Sequence, residues 1–91
     1  MSFQLVFSES YLRRAHRFFK KNPELLGQYE KALALLQLNP FHNSLRLHKL
    51  KGSLQSMYSI SINMQYRVTL ELLITEDQIL LIDIGDHDHV Y

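Results

Sequence analysis

The sequence contains no cysteine, only two prolines and only three glycines in 91 residues. Without cysteine the chain forms neither disulfides nor thiolate metal sites, an absence that leaves the compartment open. No apolar run approaches the roughly 20 residues that a membrane-spanning helix needs, and no signal peptide precedes the first predicted strand. We therefore expect a cytoplasmic protein that does not enter a membrane.

The length predicts a single domain. A domain of 91 residues has one modest core, which leaves no room for a cofactor domain beside a substrate domain. Hydrophobic residues make up 46% of the sequence, and with so little glycine and proline this composition is typical of a folded globule. We expect residues 1–91 to form one compact binding protein or very small enzyme, without a cofactor.

Charge is unevenly divided, although the formal net charge is only +1. Residues 1–56 contain nine lysines and arginines against three glutamates, whereas residues 57–91 contain Arg67 against six acidic residues. This polarity favours a front half that faces an anionic partner. An equally good explanation is that a small pair of amphipathic helices has basic, solvated outer faces.

Residues 58–84 show the period of two that indicates strands with one buried face. A first turn over residues 63–65, and a second turn over residues 75–77 or over two residues more, keep the apolar set on one face. A slip by one residue would expose all of it. The odd face then carries Arg67, opposite Gly85 or opposite His87 according to the length of the second turn. The apolar set is Tyr58, Ile60, Ile62, Tyr66, Val68, Leu70, Leu72, Ile74, Leu80, Ile82 and Ile84.

The front of the chain predicts one strand and two helices. Residues 3–7 alternate as a strand does, and Ser8 is a suitable cap for the first helix. Asn22-Pro23 ends that helix and begins the second, which Asn39-Pro40 stops. Gly27 costs the second helix roughly 1 kcal/mol relative to alanine, and we expect it to permit close packing against the first. The apolar faces are Tyr11, Leu12, Ala15, Phe18 and Phe19 on the first helix and Leu25, Tyr29, Ala32, Leu33 and Leu36 on the second.

Residues 41–53 have no clear period and predict a loop. Leu45, Leu47 and Leu50 are expected to anchor it to the core. Its basic side chains then point outward, where they can hold a phosphate; they are Arg46, His48, Lys49 and Lys51. The whole order, β-α-α-β-β-β, predicts an α+β fold in which an N-terminal helical hairpin packs on a twisted, mainly antiparallel four-stranded sheet.

Three groups of residues could carry chemistry: the basic loop around His48, Arg67 in the middle strand, and the C-terminal run from Asp86 to Tyr91. RNA is cleaved through its 2′-hydroxyl when a base removes the hydroxyl proton, cations stabilise the phosphorane and an acid protonates the leaving oxygen. Histidine, lysine and arginine supply these roles without a metal, and histidine exchanges protons near neutrality.

Each of these residues also has a purely structural explanation. His87 can cap backbone groups, His48 can be solvated, Arg67 can pair with Glu71 or Asp83, and Tyr91 can be a frayed end. A metal site is not expected from the acidic residues and histidines at positions 83–89. Neighbouring residues in an extended segment point to opposite sides, and no known ligand spacing is present.

Taken together, the HKLKG loop, the YRV strand and the IGDHDHVY ending resemble the RelE/ParE superfamily of bacterial toxins from type II toxin–antitoxin systems. The resemblance covers essentially the whole chain. The ending is its most specific part, being similar to the IGxHDxVY pattern of that family, and the branch most resembled is that of the YafQ-like messenger-RNA interferases. The resemblance implies a ribosome-dependent endoribonuclease whose partners are the ribosome, messenger RNA and a silencing antitoxin.

The resemblance also implies roles for individual residues. His87 would be the general acid or base with His48 assisting, Arg67 would stabilise phosphate, and Tyr91 would stack on or orient the scissile nucleotide. The remaining basic residues, which would bind the substrate, are Lys49, Lys51 and Arg46.

The chain departs from the YafQ-like pattern in the first hairpin of the predicted meander. Ser61 and Gln65 stand where YafQ-like members carry a histidine and an aspartate, and glutamine cannot act as a base. Two alternatives to the nuclease stay open, because the fold alone does not decide the activity. One is a ParE-like inhibitor of DNA gyrase without nuclease activity, and the other is a decayed toxin that only binds its antitoxin.

Overall fold

A computed structural model of the protein describes residues 2–51 and 57–86. Its strands form one sheet in the order β1-β5-β4-β3-β2, in which β1 runs parallel to β5 and every other neighbouring pair is antiparallel. No helix within the described residues is long and apolar enough to cross a membrane. The elements are β1 (Gln4–Phe7), α1 (Glu9–Lys21), α2 (Leu26–Leu38), β2 (His48–Lys49), β3 (Met57–Ser61), β4 (Tyr66–Leu73) and β5 (Gln78–Asp86).

The predicted α+β fold is confirmed, but the described residues form a sheet of five strands and not the predicted four. The additional strand is β2, which lies in the segment expected to be a loop. Its residues pair with β3, His48 opposite Ser59 and Lys49 opposite Tyr58. Both β2 side chains are exposed, so this strand has no buried face and leaves no apolar alternation in the sequence by which it could be recognised.

The predicted even-numbered core face is confirmed on β3 and β4 and is wrong in the first half of β5. There Ile79 and Leu81 are buried, whereas Leu80 and Ile82 are partly exposed. The cause is a β-bulge: Thr69 pairs with Asp83 but Leu70 pairs with Leu81, so Ile82 is an additional residue on β5. One additional residue in a strand exchanges the faces of all residues on one side of it.

The turn between β4 and β5 begins earlier than the sequence predicts. Ile74 was expected on the buried face, but it begins a short 3₁₀ turn, Ile74–Glu76, and is 55% exposed. Asp77 follows with a left-handed backbone, φ 53°, which reverses the chain into β5. The strand pattern therefore ends at Leu73, one residue before the alternation in the sequence does.

Helix α1 begins as predicted after Ser8, whose hydroxyl accepts the Tyr11 N–H at 3.1 Å. It ends at Asn22, whose backbone N–H and side-chain amide both donate to the Phe18 carbonyl. Tyr11 and Ala15 are buried against the sheet, but Leu12, expected on the same face, is 51% exposed. The buried stripe of α1 is thus narrower than the sequence indicates, because α1 covers mainly one strand, β5.

Helix α2 follows a short 3₁₀ turn at Pro23–Leu25 and ends at Asn39. Four of its five predicted core residues are buried, namely Leu25, Tyr29, Ala32 and Leu36. Gly27, expected to allow a close approach to α1, lies on the exposed side. A Cβ built there meets no atom of residues 2–51 or 57–86 within 4 Å, so no packing contact with these residues requires a glycine at this position.

Substitution of Gly27 with alanine tests whether the packing of α2 requires a glycine at this position. Gly27→Ala should raise the free energy of unfolding by about 0.5–1 kcal/mol, because it lowers the backbone entropy of the unfolded chain and meets no steric obstacle. Urea denaturation measures the change. Gln28→Ala is the matched control and should stay within roughly 0.5 kcal/mol of the unsubstituted protein. If Gly27→Ala instead lowers the free energy of unfolding, Gly27 does contribute to the packing of α2 against α1.

Two tyrosine hydroxyls form a polar pair inside the core between the helices. The hydroxyl oxygens of Tyr11 and Tyr29 lie 2.8 Å apart, and both side chains are buried. Burial, with the nearby Tyr29 and Asp83, raises the pKa of Tyr11 far above its ordinary value. Burial likewise raises the pKa of Tyr29, an effect that its hydrogen bond to Tyr11 partly offsets. Both groups therefore stay protonated in the folded protein at a pH where the unfolded chain has lost these protons.

This difference predicts a loss of stability in alkali. Unfolded tyrosines ionise near pH 10, so above that pH the unfolded state binds fewer protons than the folded state. The free energy of unfolding then falls by about 1.4 kcal/mol per pH unit for each such tyrosine. Tyr11→Phe should make this decline shallower, although it lowers stability at neutral pH. Urea denaturation between neutrality and strong alkali measures both slopes, and equal slopes would contradict the assignment.

Candidate functional site

Arg67 lies in the centre of the sheet, on the face opposite the helices. On β4 it stands between Ser61 of β3 and Gly85 of β5, so the pairing with Gly85, one of the two predicted registers, is the one formed. The residues on either side of it, Tyr66 and Val68, turn the other way: the Tyr66 ring meets the Phe18 ring of α1 edge to face, with centroids 5.0 Å apart. Arg67 itself is only 8% exposed.

Three hydrogen bonds hold the guanidinium of Arg67. Nε donates to the Ser59 hydroxyl at 2.9 Å, Nη1 donates to the Ser61 hydroxyl at 3.0 Å, and Nη2 donates to the backbone carbonyl of Arg46 at 3.0 Å. None of these bonds goes to Glu71 or Asp83, the acidic partners suggested by the structural explanation. The three acceptors are two hydroxyl oxygens and one backbone carbonyl oxygen, and together they fix the direction of the guanidinium.

The carbonyl of Arg46 reaches Arg67 because the backbone of Arg46 is left-handed, with φ 52° and ψ 49°. That conformation is uncommon outside glycine. It follows a single 3₁₀ turn, Asn43–Leu45, in which the His42 ring nitrogen Nδ1 accepts the Ser44 N–H at 3.2 Å. Leu45 is 2% exposed and anchors the turn in the core. A buried leucine and a capped turn together direct this carbonyl at the guanidinium.

The structure separates the basic residues that the sequence grouped together. His48 stands directly opposite Ser59, and directly paired residues of an antiparallel sheet share a face, so His48 is on the Arg67 face. Lys49 stands opposite Tyr58 and therefore lies on the other face. The side chains of Arg46, His48, Lys49 and Lys51 are all exposed, as predicted. His87 and Tyr91 lie outside the described residues.

The two serines that bind Arg67 were missed as site residues by the sequence reasoning. Ser59 and Ser61 are odd-numbered residues in a strand whose even-numbered residues are apolar, as Arg67 and Thr69 are in the next strand. Polar residues repeated at every second position in two adjacent strands could have revealed a polar cluster. Within the described residues no group of three histidine or acidic side chains could hold a metal ion.

Thr69 belongs to the same face but differs from its neighbours. Its residue is 5% exposed, and its hydroxyl has no hydrogen-bond partner among the described residues. Ser59, directly opposite Thr69 on β3, is fully buried and uses its hydroxyl to hold Arg67. The two positions therefore offer a matched pair of buried hydroxyls: one binds a charged group, and the other has no partner in the part of the chain that the structure describes.

These two hydroxyls should respond differently to removal. Ser59→Ala leaves a buried, charged donor without its acceptor and should lower the free energy of unfolding by about 1.5–3 kcal/mol. Thr69→Val has nearly the same shape and removes an unpaired polar group, so it should be neutral or stabilising. Urea denaturation compares the two variants. Equal losses would show that the bond from Arg67 to Ser59 contributes little.

No protein-family model and no curated protein sequence matches the chain. Solved structures do match it. The Escherichia coli DinJ-YafQ toxin–antitoxin complex contains a chain that aligns with a TM-score of 0.80 and 14% identity, over 100% of this chain and 99% of that one. A YoeB/ParE toxin from Agrobacterium tumefaciens aligns with a TM-score of 0.70 and 17% identity, over 92% and 98% of the two chains.

A third match comes from the RelBE2 toxin–antitoxin complex of Mycobacterium tuberculosis, with a TM-score of 0.70 and 13% identity, over 96% of this chain and 100% of that one. All three alignments cover nearly the whole length of both chains. The protein therefore has the fold of the RelE/ParE toxins. Within that fold it is similar to YafQ, as the sequence resemblance implied.

Proposed function

We propose that this protein is the toxin of a type II toxin–antitoxin pair and that it cleaves messenger RNA on the ribosome. Two of the structures it resembles are toxin–antitoxin complexes, and the likeness extends over 96–100% of the chain. Since one fold can serve several activities, the choice of activity depends on the site. The observation that carries it is a guanidinium oriented by three hydrogen bonds on the same face as His48.

In the proposed reaction the 2′-oxygen of a nucleotide attacks the adjacent phosphorus while the bond from phosphorus to the 5′-oxygen breaks. A base takes the 2′-hydroxyl proton and an acid returns a proton to the leaving oxygen. His87 is the principal proton carrier and His48 assists it. Arg67 donates to the phosphate oxygens, whose negative charge grows in the transition state.

The remaining basic residues bind the RNA on either side of the reacting phosphate. Arg46 and Lys51 extend from the segment that borders the Arg67 face, and Lys49 extends from the opposite face of β2. Tyr91 stacks on the scissile nucleotide. Basic side chains in the front half of the chain face ribosomal RNA, where an excess of cations favours binding. The antitoxin silences the toxin by covering the basic segment and the C-terminus.

The first test maps the 5′ ends of messenger RNA in cells after induction of the protein, with plasmid supercoiling followed in the same cells. We expect in-frame cuts on translated messages, and we expect His87→Ala to reduce them by about 10²–10⁴-fold, the usual contribution of an acid or base. His89→Ala is the control, because it removes a histidine of the same segment that has no assigned role.

Two other outcomes would replace the proposal. Intact messages with altered supercoiling or gyrase-dependent DNA breaks would identify a ParE-like inhibitor of DNA gyrase. Intact messages with normal supercoiling, together with antitoxin binding, would identify a decayed toxin. Cuts that persist in His87→Ala at the rate of the unsubstituted protein would keep the nuclease but remove His87 from its site.

A further inference from the structure

A second cationic site lies on the helix face of the sheet, in a cleft of about 390 Å³ between α1 and the end of β5. Arg14, Arg17 and Lys21 line it from the helix, and Phe18 and Ile84 contribute apolar surface. Among the described residues that line it, Asp83 is the only acidic one. Its carboxylate lies 3.8 Å from Arg14 Nη1, and both side chains are partly exposed.

The spacing of these cations suits a linear polyanion. Arg14 and Lys21 are seven residues apart on one helix, which corresponds to about 10 Å along its axis. A nucleic-acid strand in a duplex carries one charge about every 3.4 Å, so a row of this length can face more than one phosphate. An isolated carboxylate or single phosphate would engage only part of the row.

The cleft and the Arg67 face meet around one edge of the sheet. Ile84 lines the cleft, and the next residue, Gly85, pairs with Arg67. Strand β1 pairs with β5 only from Gln78 to Leu81, so among the described strands none flanks β5 beyond that point. Within the described residues, a strand of RNA at Arg67 can therefore continue from Gly85 to the cleft without crossing another strand of the sheet.

We propose that the α1–β5 cleft binds the phosphodiester backbone of the RNA strand that the Arg67 face holds, as a subsite for nucleotides beyond the scissile one. The inference rests on the proposed function for the identity of the RNA. Three features of the cleft support the inference independently: its positive charge, the length of its row of cations, and its continuity with the Arg67 face. In this arrangement the ion pair between Arg14 and Asp83 opens when a phosphate binds Arg14.

The chain provides a closely matched comparison for a test. Arg14→Gln/Lys21→Gln removes two cations of the cleft, and Arg13→Gln/Lys20→Gln removes two exposed cations with the same spacing on the same helix that do not line it. The two double variants have equal net charge. Thermal unfolding followed by circular dichroism checks that each remains folded.

The measurement is fluorescence anisotropy of 2′-O-methyl RNA, which binds but cannot be cleaved, as a trinucleotide and as a nonanucleotide at several salt concentrations. For the nonanucleotide, Arg14→Gln/Lys21→Gln should weaken binding about tenfold and reduce the slope against log salt by about 1.4, since each phosphate contact on a single strand contributes about 0.7. For the control, Arg13→Gln/Lys20→Gln, the decrease in log affinity and the decrease in the salt slope should each be less than half as large. Neither double variant should change trinucleotide binding.

A variant with the opposite expected effect uses Asp83. Asp83→Asn removes the carboxylate that competes with phosphate and should strengthen nonanucleotide binding several-fold. Glu76→Gln, which changes net charge equally in the turn between β4 and β5, should strengthen it less. If the two substitutions have equal effects, or if the two double variants do, RNA binding responds only to the net charge of the protein. Either result would overturn the proposal.

Other outcomes separate this subsite from the proposed function. Loss of cleft-dependent binding with message cleavage intact in cells would remove the subsite alone. Cleft-dependent binding without message cleavage would keep the subsite and reject the nuclease. Absence of nonanucleotide binding to the unsubstituted protein, or binding of a nonaglutamate peptide in its place, would overturn the RNA subsite.

Discussion

The hydrogen bonds of Arg67 are the interaction on which the polar half of this structure depends. One side chain joins three parts of the chain: its own strand β4, the serines of β3, and the turn that carries Arg46. A guanidinium this deeply buried is stable only when its donors are satisfied. The same requirement holds the basic segment against the sheet, so the position of His48 depends on the bonds that stabilise Arg67.

The sheet separates two tasks between its faces. Its helix face is apolar and forms the core, which contains Ile60, Val68 and Leu70. Its other face is polar at the centre. A helix packed on this face would bury polar groups without hydrogen-bond partners, which costs free energy. Strand β5 is also divided into two parts, at the bulge at Ile82. Residues before it complete the core beside β1, and residues after it form the edge between the Arg67 face and the α1 cleft.

The fold is preserved at identities of 13–17% to the toxins it resembles, a level at which few individual residues are shared. The alternation of the strands and the amphipathic helices, on which this fold depends, can be supplied by many sequences. Individual polar positions are not fixed by this alternation. In this chain Ser61, which departs from the pattern that the sequence resemblance implies, binds the guanidinium of Arg67.

The sequence by itself determined the order of elements, the helix boundaries near Ser8 and Asn39, and the core face of β3 and β4, because these follow from local periodicity and capping. It also singled out Arg67 and the basic segment. Only the tertiary structure decided the bulge, the strand at His48–Lys49, and the bonds from Arg67 to Ser59, Ser61 and Arg46. A bulge and a two-residue edge strand leave no periodic signal, and a bond between residues 46 and 67 depends on how distant segments pack.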